Sequence, residues 1–503
     1  MTVKIVSNRE MLRIDKVTQD EYRISGASLM ENAGIKLWLR LVREESPDRT
    51  RPMVFLPGKG NNGGDSLVMA RQAFFDGYNP VVLLVSGSLT PEDALEPARP
   101  SEETLAAALA LGIPVYAWDS PEGQAAVNNA SLLVDGLFGV GLRGTVRPPF
   151  DAVIDSLNGA GKRIISIDVP SGLYEGFSEG APCIRASATY AVEYAKSCMF
   201  GLSAREYCGT VHTVSIGFPQ GIAREDARLI SGESGMPPLP AIDETSYKHR
   251  RGSCLVFAGG KGTLGAAGLC ASASGKAGAG LVRLYTGEEE YPLIAGSMGG
   301  VMAAAFEERN LDLIFDRATA FVMGPGLTGI SGEAQRKILS AASERDIPGV
   351  VDAESLRLFG KGNKNPGRFV LTPHIGEFLK MGFCSRADLY KDPVAACKNA
   401  ARETGNVIVL KSFCTYIAHP EGGLFVHDGM NHTLGTGGSG DILAGIIGGY
   451  LAAGADPITA AVNGVYVHGK AGRMARDARG YYLAEELLDY VGAISLERRI
   501  KTE

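Results

Sequence analysis

The sequence lacks the features that would place the protein in a membrane, in a disulfide-bonded secreted fold or on nucleic acid. Its eight cysteines are scattered without a C-x-x-C pair, as is typical of reduced thiols. The N-terminal M-T-V-K-I-V-S-N-R-E has no apolar signal-peptide core. The longest uncharged apolar stretch, Ile442 to Ala455, is shorter than the ~20 residues of a membrane-spanning helix. A net charge of −6 without a basic tract argues against nucleic acid. We therefore expect a cytoplasmic protein with neither membrane nor nucleic-acid partners.

The chain also lacks the P-loop motif G-x-x-x-x-G-K-[ST], because the nearest approach, Gly275-Lys276, is followed by Ala277. Glycine, by contrast, is abundant, at 65 of 503 residues. This is about 13%, against a usual share of about 7%, and indicates many tight turns and close backbone approaches. If a phosphate site is present, it must therefore use another glycine-rich turn.

The order of apolar runs and helical patterns predicts an α/β protein with two three-layer α/β/α domains. Three prolines within Gly232 to Pro240 interrupt the pattern. We therefore predict a first domain over 1–230, a linker over 231–242 and a second domain over 243–503. The predicted strands of the first domain are Met53–Leu56, Val81–Val85, Val115–Trp118, Leu132–Val134 and Ile164–Ile167, with helices that include Ser66–Phe75 and Thr104–Leu111. Those of the second are Leu255–Ala258, Leu281–Tyr285, Phe321–Met323, Val350–Val351, Phe369–Leu371 and Val407–Leu410, followed by a hairpin of Tyr416–Ala418 and Leu424–His427.

The segment T-G-G-S-G-D, Thr436 to Asp441, precedes an apolar helical pattern. Such a turn directs free backbone N–H groups and the positive end of the helix dipole at one point, where a phosphoryl group can bind. A carboxylate there would repel phosphate, so Asp441 is better suited to take a proton from an attacking hydroxyl. The alternative is that Asp441 only caps the helix. The pattern resembles the turn of the ribokinase-like kinases.

In the first half, three loops follow predicted strands, where parallel sheets bind ligands. They carry Asn62 and Asp65, then Asp135, then Asp168 and Ser171. Clustered oxygens of this kind suit a monovalent or divalent cation. The second loop contains G-x-G-x-x-G within 139–144, but Pro148-Pro149 follows instead of a helix, which disfavours a hydride-transferring dinucleotide fold.

Together with R-I-S-G-A-S-L-M-E-N-A-G at 23–34, these loops closely resemble the NAD(P)H-hydrate epimerase domain, a Rossmann-like fold. The resemblance covers residues 1 to about 230. It implies that Asn62, Asp135 and Ser171 bind K⁺ and that Asp168 is catalytic at the nicotinamide ring. It further implies that the hydrated dinucleotide is held by Asn61, Asn62, Gly63, Gly64, Asp65, Gly139, Val140, Gly141, Leu142, Arg143, Gly144, Thr145 and Asp168.

The second half resembles the ADP/ATP-dependent NAD(P)H-hydrate dehydratase domain, a ribokinase-like fold, over about 240–500. The matching segments are G-G-K-G-T-L-G-A-A-G at 259–268, G-P-G-L at 324–327, L-T-P-H-I-G-E-F at 371–378 and V-L-K-S-F-C-T at 409–415. The resemblance implies that Ala266, Gly326, His374 and Asp441 contact the hydrated dinucleotide, with Asp441 catalytic. It assigns the adenine nucleotide to Lys411, Ser412, Phe413, Cys414, Thr415 and Gly440.

These resemblances imply a bifunctional repair enzyme that interconverts the R and S hydrates of NADH and NADPH and dehydrates the S form. The dehydration would use ADP as co-substrate with Mg²⁺, and K⁺ would serve the epimerase site. We also expect a homo-oligomer whose only other partners are these small molecules. One alternative is a sugar or vitamin kinase with an appended dinucleotide-binding domain. Another is a cofactor-binding module whose first domain is not catalytic.

Overall fold

The computed structural model describes residues 3–230, 235–243, 245–296, 299–363, 365 and 367–499. The chain separates into two compact units. The first unit comprises Val3–Ala227 together with Tyr390–Asp392, and the second comprises the rest of the described chain from Arg228 onward. No helix in the described part of the chain combines the length and the apolar character needed to cross a bilayer.

The first unit is built on a seven-stranded sheet in the order β4-β3-β2-β5-β6-β7-β9, in which every neighbouring pair is parallel. A separate parallel pair joins β1 and β8. The elements are β1 Val3–Val6, α1 Asn8–Asp20, α2 Gly26–Glu45, β2 Pro52–Pro57, α3 Asn61–Phe75, β3 Asn79–Leu84, α4 Pro100–Ala110, β4 Val115–Ala117, α5 Pro121–Asn129, β5 Leu132–Gly136, α6 Phe150–Gly159, β6 Ile164–Ile167, β7 Ala188–Val192, β8 Ala195–Lys196 and β9 Thr210–Val214.

Alternation along the buried strands produces three layers in this unit. In β2, Met53 and Phe55 join the apolar cluster beneath α1 to α4, whereas Val54 and Leu56 join the cluster beneath α5 and α6. Successive side chains of a strand point to opposite faces, so a continuous apolar run requires helices on both sides of the sheet. The stripe predicted on α2 is buried in the first cluster: Leu29, Ala33, Leu37 and Leu41.

The second unit contains strands in the order β13-β12-β11-β14-β15-β16-β17-β18-β19-β10, with β18 antiparallel to both neighbours. The elements are β10 Ala227–Leu229, β11 Ser253–Phe257, α7 Leu264–Lys276, β12 Leu281–Thr286, α8 Tyr291–Ile294, β13 Met302–Ala305, α9 Leu311–Phe315, β14 Ala320–Met323, α10 Gly332–Glu344, β15 Gly349–Val351, β16 Phe369–Leu371, α11 Ile375–Met381, α12 Arg386–Lys391, α13 Pro393–Thr404, β17 Val407–Leu410, β18 Cys414–Ala418, β19 Leu424–Asp428, α14 Ser439–Ala452, α15 Pro457–Arg479 and α16 Leu488–Glu497.

The second unit is also three-layered. Val256 and Val322 pack with α7, α14 and α15 on one face of its sheet. On the other face Phe257 stacks with Phe315, and Phe321 packs edge-on against Phe369. Helix α14 lies very close to α7: a Cβ at Gly445 would stand 2.3 Å from the carbonyl oxygen of Cys270. The predicted α/β class with two three-layer units is confirmed.

Several element predictions need correction. Helix α3 begins at Asn61, five residues before the predicted start at Ser66, so Asn62 and Asp65 lie on a helix rather than in a loop. Asp135 lies inside β5, which extends to Gly136. In the predicted linker, residues 231–234 lie outside the described part, and 235–242 contain no helix or strand. Met236 and Leu239 of this segment are buried in the apolar cluster of the second unit.

Candidate functional sites

A cavity of about 550 Å³ lies where β2, β5 and β6 end in the first unit. Glycine allows the chain segments around it to approach closely. A Cβ at Gly58 would stand 1.8 Å from the carbonyl oxygen of Leu137, and one at Gly63 would stand 1.8 Å from that of Gly58. The predicted residues that line the cavity are Asn61, Asn62, Asp65, Gly139, Val140, Gly141, Leu142, Arg143 and Asp168.

Six predicted residues do not line this cavity. Gly64 packs under Met30, whose Sδ would lie 2.2 Å from an added Cβ. The hydroxyl groups of Thr145 and Tyr174 are 3.4 Å apart in the loop beyond Gly144. The six residues are Gly63, Gly64, Asp135, Gly144, Thr145 and Ser171.

The three residues predicted to bind a cation are joined by hydrogen bonds. The Ser171 hydroxyl donates to Asp135 Oδ1 at 2.5 Å, and the Ser171 N–H donates to Asp135 Oδ2 at 2.9 Å. The Asn62 amide donates to the Phe138 carbonyl at 2.9 Å, and the Phe138 N–H donates to Ser171 Oγ at 2.8 Å. Phe138 therefore links Asn62 to the Asp135–Ser171 pair.

Two features of this group fit a bound cation. Asn62 Oδ1 is buried without a hydrogen-bond partner, and buried polar atoms are normally satisfied. Asp135 is fully buried and forms no ion pair within the described residues. Burial raises the pKa of Asp135, while hydrogen bonds from Ser171 and Ser166 oppose that rise. A nearby cation would satisfy the orphan oxygen and the buried carboxylate together.

Asp168 lies at the cavity wall in an unusual backbone conformation, with φ at 66°. Its Oδ1 accepts hydrogen bonds from the Lys196 ammonium and from the Val192 N–H. Its Oδ2 lies on the cavity side, 3.3 Å from where a Cβ on Gly139 would stand. Burial, followed by the charge of Asp168, raises the pKa of Asp65 well above its ordinary value. The cavity thus combines an ion-paired carboxylate with a buried carboxyl group whose pKa is raised.

In the second unit, the glycine-rich turn leads directly into α14. The turn residue Gly438 has φ at 90°, and its Cβ would meet Leu269 at 2.5 Å. The N–H groups of Gly438, Gly440 and Asp441 donate to no acceptor within the described residues. The N-cap is Gly438, without a side-chain cap hydrogen bond, so Asp441 is not the helix cap. The turn therefore offers several free N–H groups at a helix N-terminus, as an anion site requires.

Charged side chains from three strand ends converge on this turn. The Lys411 ammonium lies 2.8 Å from Asp352 Oδ1 and 3.3 Å from where a Cβ on Gly440 would stand. Burial first, and then the Asp352 charge, raise the pKa of Asp441 to about 6. Lys411 opposes that shift and Glu377 adds to it. Asp352 and Glu377 thus act on Asp441 with Lys411 opposing them. Within the described residues no three acidic, histidine or cysteine side chains are arranged to hold a metal ion, so a Mg²⁺ here would also need oxygens of a bound phosphate.

The residues predicted to contact the second dinucleotide site occupy neighbouring loops. His374 caps α11, because its Nδ1 accepts from the N–H groups of Gly376 at 3.0 Å and Glu377 at 3.3 Å. Its ring remains largely exposed. Gly326 has φ at 58° and accepts a hydrogen bond from Thr263 at 2.7 Å, near the start of the helix that carries Ala266.

The predicted nucleotide segment, Lys411 to Thr415, crosses from β17 into β18. Phe413 is exposed, whereas the Cys414 side chain is fully buried with its Sγ 3.5 Å from Asp428 Oδ1. Ser412 Oγ donates to the Cys414 carbonyl, and Thr415 Oγ1 donates to the Ser412 carbonyl at 3.3 Å. Cys414 can therefore offer a ligand only its backbone.

Sequence reasoning missed three charged or titratable residues at these sites. Lys196 and Asp352 are the ion partners of Asp168 and Lys411. The ring of His468 lies with Nε2 2.9 Å from Ser439 Oγ at the start of α14. Asp352 directly follows β15, and its position at the end of a parallel strand could have drawn attention to it. No comparable local pattern distinguishes Lys196 or His468.

Family models match both parts of the chain. Residues 254–492 match the model described as NAD(P)H-hydrate dehydratase, and residues 26–198 match the YjeF-related protein N-terminus. A bifunctional NAD(P)H-hydrate repair enzyme from Moorella thermoacetica is 30% identical, over 99% of this chain and 98% of its own length. The enzyme of the same name from Coxiella burnetii is 31% identical, over 95% of this chain and 96% of its own.

Among solved structures, the ADP/ATP-dependent NAD(P)H-hydrate dehydratase of Bacillus subtilis, co-crystallised with ATP/Mg²⁺, is 30% identical. It covers 52% of this chain and 95% of its own, with a TM-score of 0.46.

The fold and the two family matches define a two-part α/β enzyme, whose first part matches the YjeF-related N-terminal family and whose second part matches the NAD(P)H-hydrate dehydratase family. The near full-length similarity is more specific: the chain belongs to the family of bifunctional NAD(P)H-hydrate repair enzymes. This confirms the resemblance inferred from the motifs. The comparisons do not favour a vitamin or sugar kinase with a non-catalytic first domain.

Proposed function

We propose that the chain epimerises hydrated NADH and NADPH in the first unit and dehydrates the S-epimer in the second at the expense of ADP. The observation that carries the first activity is the cavity in which Asp168 directs one carboxylate oxygen inward. The free N–H groups beside Asp441 carry the second. The predicted boundaries, 1–230, 231–242 and 243–503, are retained as the extents of the two catalytic domains and their linker.

In the first site, Asp168 takes the proton of the hydroxyl at ring carbon C6. The O–H electron pair forms the C6 carbonyl while the C6–N1 bond breaks, and N1 keeps that electron pair and gains a proton. Rotation about the adjacent C–C bond and reversal of these steps give the other epimer. Asp65, whose pKa burial raises, lines the same cavity and would supply the proton to N1.

Potassium is the cation we propose for Asn62, Asp135 and Ser171. The unpartnered Asn62 oxygen and the uncompensated Asp135 charge support a cation there, and oxygen ligands suit it. When bound, it would supply positive charge beside Asp135 and the Asn62 oxygen. The start of α3 at Asn61 to Asp65 and the loop at Gly139 to Thr145 would form the ligand contacts, chiefly through those of their residues that line the cavity.

In the second site, Asp441 takes the proton of the C6 hydroxyl in the S-epimer. The hydroxyl oxygen then attacks the terminal phosphoryl group of ADP. AMP leaves, and the free N–H groups of the glycine-rich turn stabilise the charge on the transferring group. The C6–O bond then breaks as N1 supplies electrons, and inorganic phosphate leaves with the C6 oxygen. Loss of a C5 proton forms the C5–C6 double bond and regenerates the reduced cofactor.

The charged residues around Asp441 support the remaining assignments. Asp352 and Glu377 would hold Mg²⁺ together with nucleotide oxygens, and the ion neutralises phosphate charge when bound. Lys411 to Thr415 and Gly440 would contact ADP. Ala266, Gly326 and His374 would contact the hydrated dinucleotide.

We further propose a cytoplasmic homo-oligomer. All eight cysteines are free thiols, which fits a reducing compartment. Leu39, Phe74 and Phe75 expose apolar surface on α2 and α3, which suits self-association. Light scattering coupled to size-exclusion chromatography would give the mass in solution, and a monomer at micromolar concentration would reject the oligomer.

The proposed function is tested by incubating the purified chain with S-hydrate of NADH, ADP and Mg²⁺. We expect absorbance at 340 nm to rise, with one AMP and one inorganic phosphate released per NADH formed. A stable phosphorylated dinucleotide without a gain at 340 nm would instead identify a kinase. Replacing ADP by ATP at equal concentration tests the nucleotide assignment, and a higher kcat/KM for ATP would overturn it.

A further inference from the structure

Lys196, at the end of β8, is a fully buried lysine beside the first site. A buried ammonium costs several kcal/mol unless it is paired and hydrogen-bonded. Its partners are the Asp168 carboxylate and the Val192 carbonyl, which it reaches at 2.7 Å. Lys196 itself does not line the cavity, whereas Asp168 and Val192 do. It therefore stands behind the residue that faces the substrate.

The other charged groups around this pair leave Asp168 as the counter-charge of Lys196. Burial and then the Asp168 charge raise the pKa of Asp65, on α3. Burial also raises the pKa of Asp15, on α1, and that of the Cys198 thiol. Glu175 accepts a hydrogen bond from the N–H of Asn8 at 2.5 Å. Because an unpaired buried charge is costly, the Asp168 carboxylate is the counter-charge that the buried Lys196 ammonium requires.

The pair also sets the direction of the carboxylate. Lys196 and the Val192 N–H, 3.3 Å away, both engage Oδ1, and Oδ2 is left toward the cavity. We propose that Lys196 is a positioning residue for epimerisation: it holds the Asp168 carboxylate with one oxygen committed and the other free to take the hydroxyl proton. This inference rests on the proposed role of Asp168 in the first site.

Lys196→Gln distinguishes the effect of the positive charge from that of the hydrogen bonds. The glutamine amide keeps a hydrogen-bond donor near Asp168 Oδ1 and the Val192 carbonyl, but it carries no charge. Without that charge a buried carboxyl retains its proton and is a poor base. We expect kcat for epimerisation to fall at least tenfold and KM for the hydrate to stay within threefold. Lys196→Arg, which keeps the charge, should retain more of kcat than Lys196→Gln.

A double-mutant cycle with Asp168→Asn tests whether Lys196 acts through Asp168. In the Asp168→Asn background, Lys196→Gln should cause no further loss, since no carboxylate remains to be held. Far-ultraviolet circular dichroism and the dehydratase rate of each full-length variant report folded protein. If Lys196→Gln is unfolded, the same comparison is made with Lys196→Arg and Lys196→Met.

Wild-type kcat in the folded neutral variant would overturn the inference, as would a full additional loss in the Asp168→Asn background. The inference would also be overturned if Lys196→Gln or Lys196→Met had an unchanged kcat and a raised KM. That result would mean that Lys196 affects only the shape of the cavity and not the Asp168 carboxylate. Failure of the proposed function is distinguished by Asp168→Asn itself: near wild-type epimerisation in that single variant would reject the role of Asp168, whatever Lys196 does.

Discussion

Asp441 gives the sharpest quantitative expectation for the second site. Its pKa of about 6 arises first from burial and then from the charge of Asp352. As a base Asp441 must be ionised, so kcat/KM for dehydration should fall with decreasing pH around 6. About 91% of Asp441 is ionised at pH 7 and about 9% at pH 5, which predicts a roughly tenfold loss of kcat/KM between them.

Asp441→Asn keeps the size of the side chain and removes its basicity. We expect a loss of at least about a hundredfold in dehydration, and the remaining activity should lack the acid limb near pH 6. The assay follows 340 nm absorbance with purified S-hydrate, ADP and Mg²⁺ over pH 4.5 to 8.

Asp456→Asn is the matched control for this prediction. Asp456 is a true N-cap, whose Oδ1 accepts from the Thr459 N–H at 3.0 Å, and Asn caps about as well as Asp. This variant should keep the wild-type rate and pH profile. The reasoning is refuted if Asp441→Asn behaves like Asp456→Asn, or if the acid limb persists in Asp441→Asn.

Three further expectations concern the cation group, the cavity wall and a buried histidine. Wild-type epimerisation should be faster in K⁺ than in tetramethylammonium. Asp135→Ala should abolish epimerisation, and with it this difference, while dehydration is unchanged. Loss of both activities would reject separate sites. Gly58→Ala should lower the free energy of unfolding by about 1–3 kcal/mol, because its Cβ would overlap the Leu137 carbonyl. A Cβ added at Gly60 has no atom within 4 Å, so Gly60→Ala should leave the free energy of unfolding nearly unchanged. If urea titrations show the same loss of stability for Gly58→Ala and Gly60→Ala, this account is contradicted. Burial lowers the pKa of His427 from 6.5 to about 4. As the pH falls, the unfolded chain therefore binds this proton before the folded chain does. Between pH 7 and pH 4 the free energy of unfolding of wild type should fall by about 3 kcal/mol relative to that of His427→Gln. If the difference in unfolding free energy between the two proteins is the same at both pH values, the buried neutral ring is rejected.

The strands that the sequence predicted best are short, fully buried runs bounded by polar residues. Ile164–Ile167, Phe369–Leu371 and Val407–Leu410 have the predicted bounds. The strands that escaped prediction have weaker patterns. For example, Met302–Ala305 is alanine-rich, and Thr210–Val214 carries Thr and His on a partly exposed strand. Their pairing depends on neighbouring strands that a local pattern does not contain.

The start of α3 shows how tertiary contacts override local preference. Asn61-Asn62-Gly63-Gly64 has the composition of a turn, yet these residues form the first helical turn. Gly63 and Gly64 are required there because Gly58 and Met30 leave no room for a Cβ. The sequence thus indicated where a site would form, but not that packing demands its glycines.

Lys196 illustrates a different limit. A lone lysine in a sequence is usually solvated, so nothing local marks one that is completely buried. Only the fold brings it to Asp168, 28 positions earlier in the chain. Asp168 itself was predictable, because it directly follows a buried parallel strand, where such sheets bind ligands.

The most direct test of a two-activity chain is the final amplitude at 340 nm with a mixture of R and S hydrates of NADH, ADP and Mg²⁺. Wild type should convert the whole mixture. Asp168→Asn should rapidly convert only the S fraction and then advance at the spontaneous epimerisation rate, while Asp441→Asn should give almost no rise. Rapid full conversion by Asp168→Asn, or a normal rise with Asp441→Asn, would contradict the assignment of the two activities to these two sites.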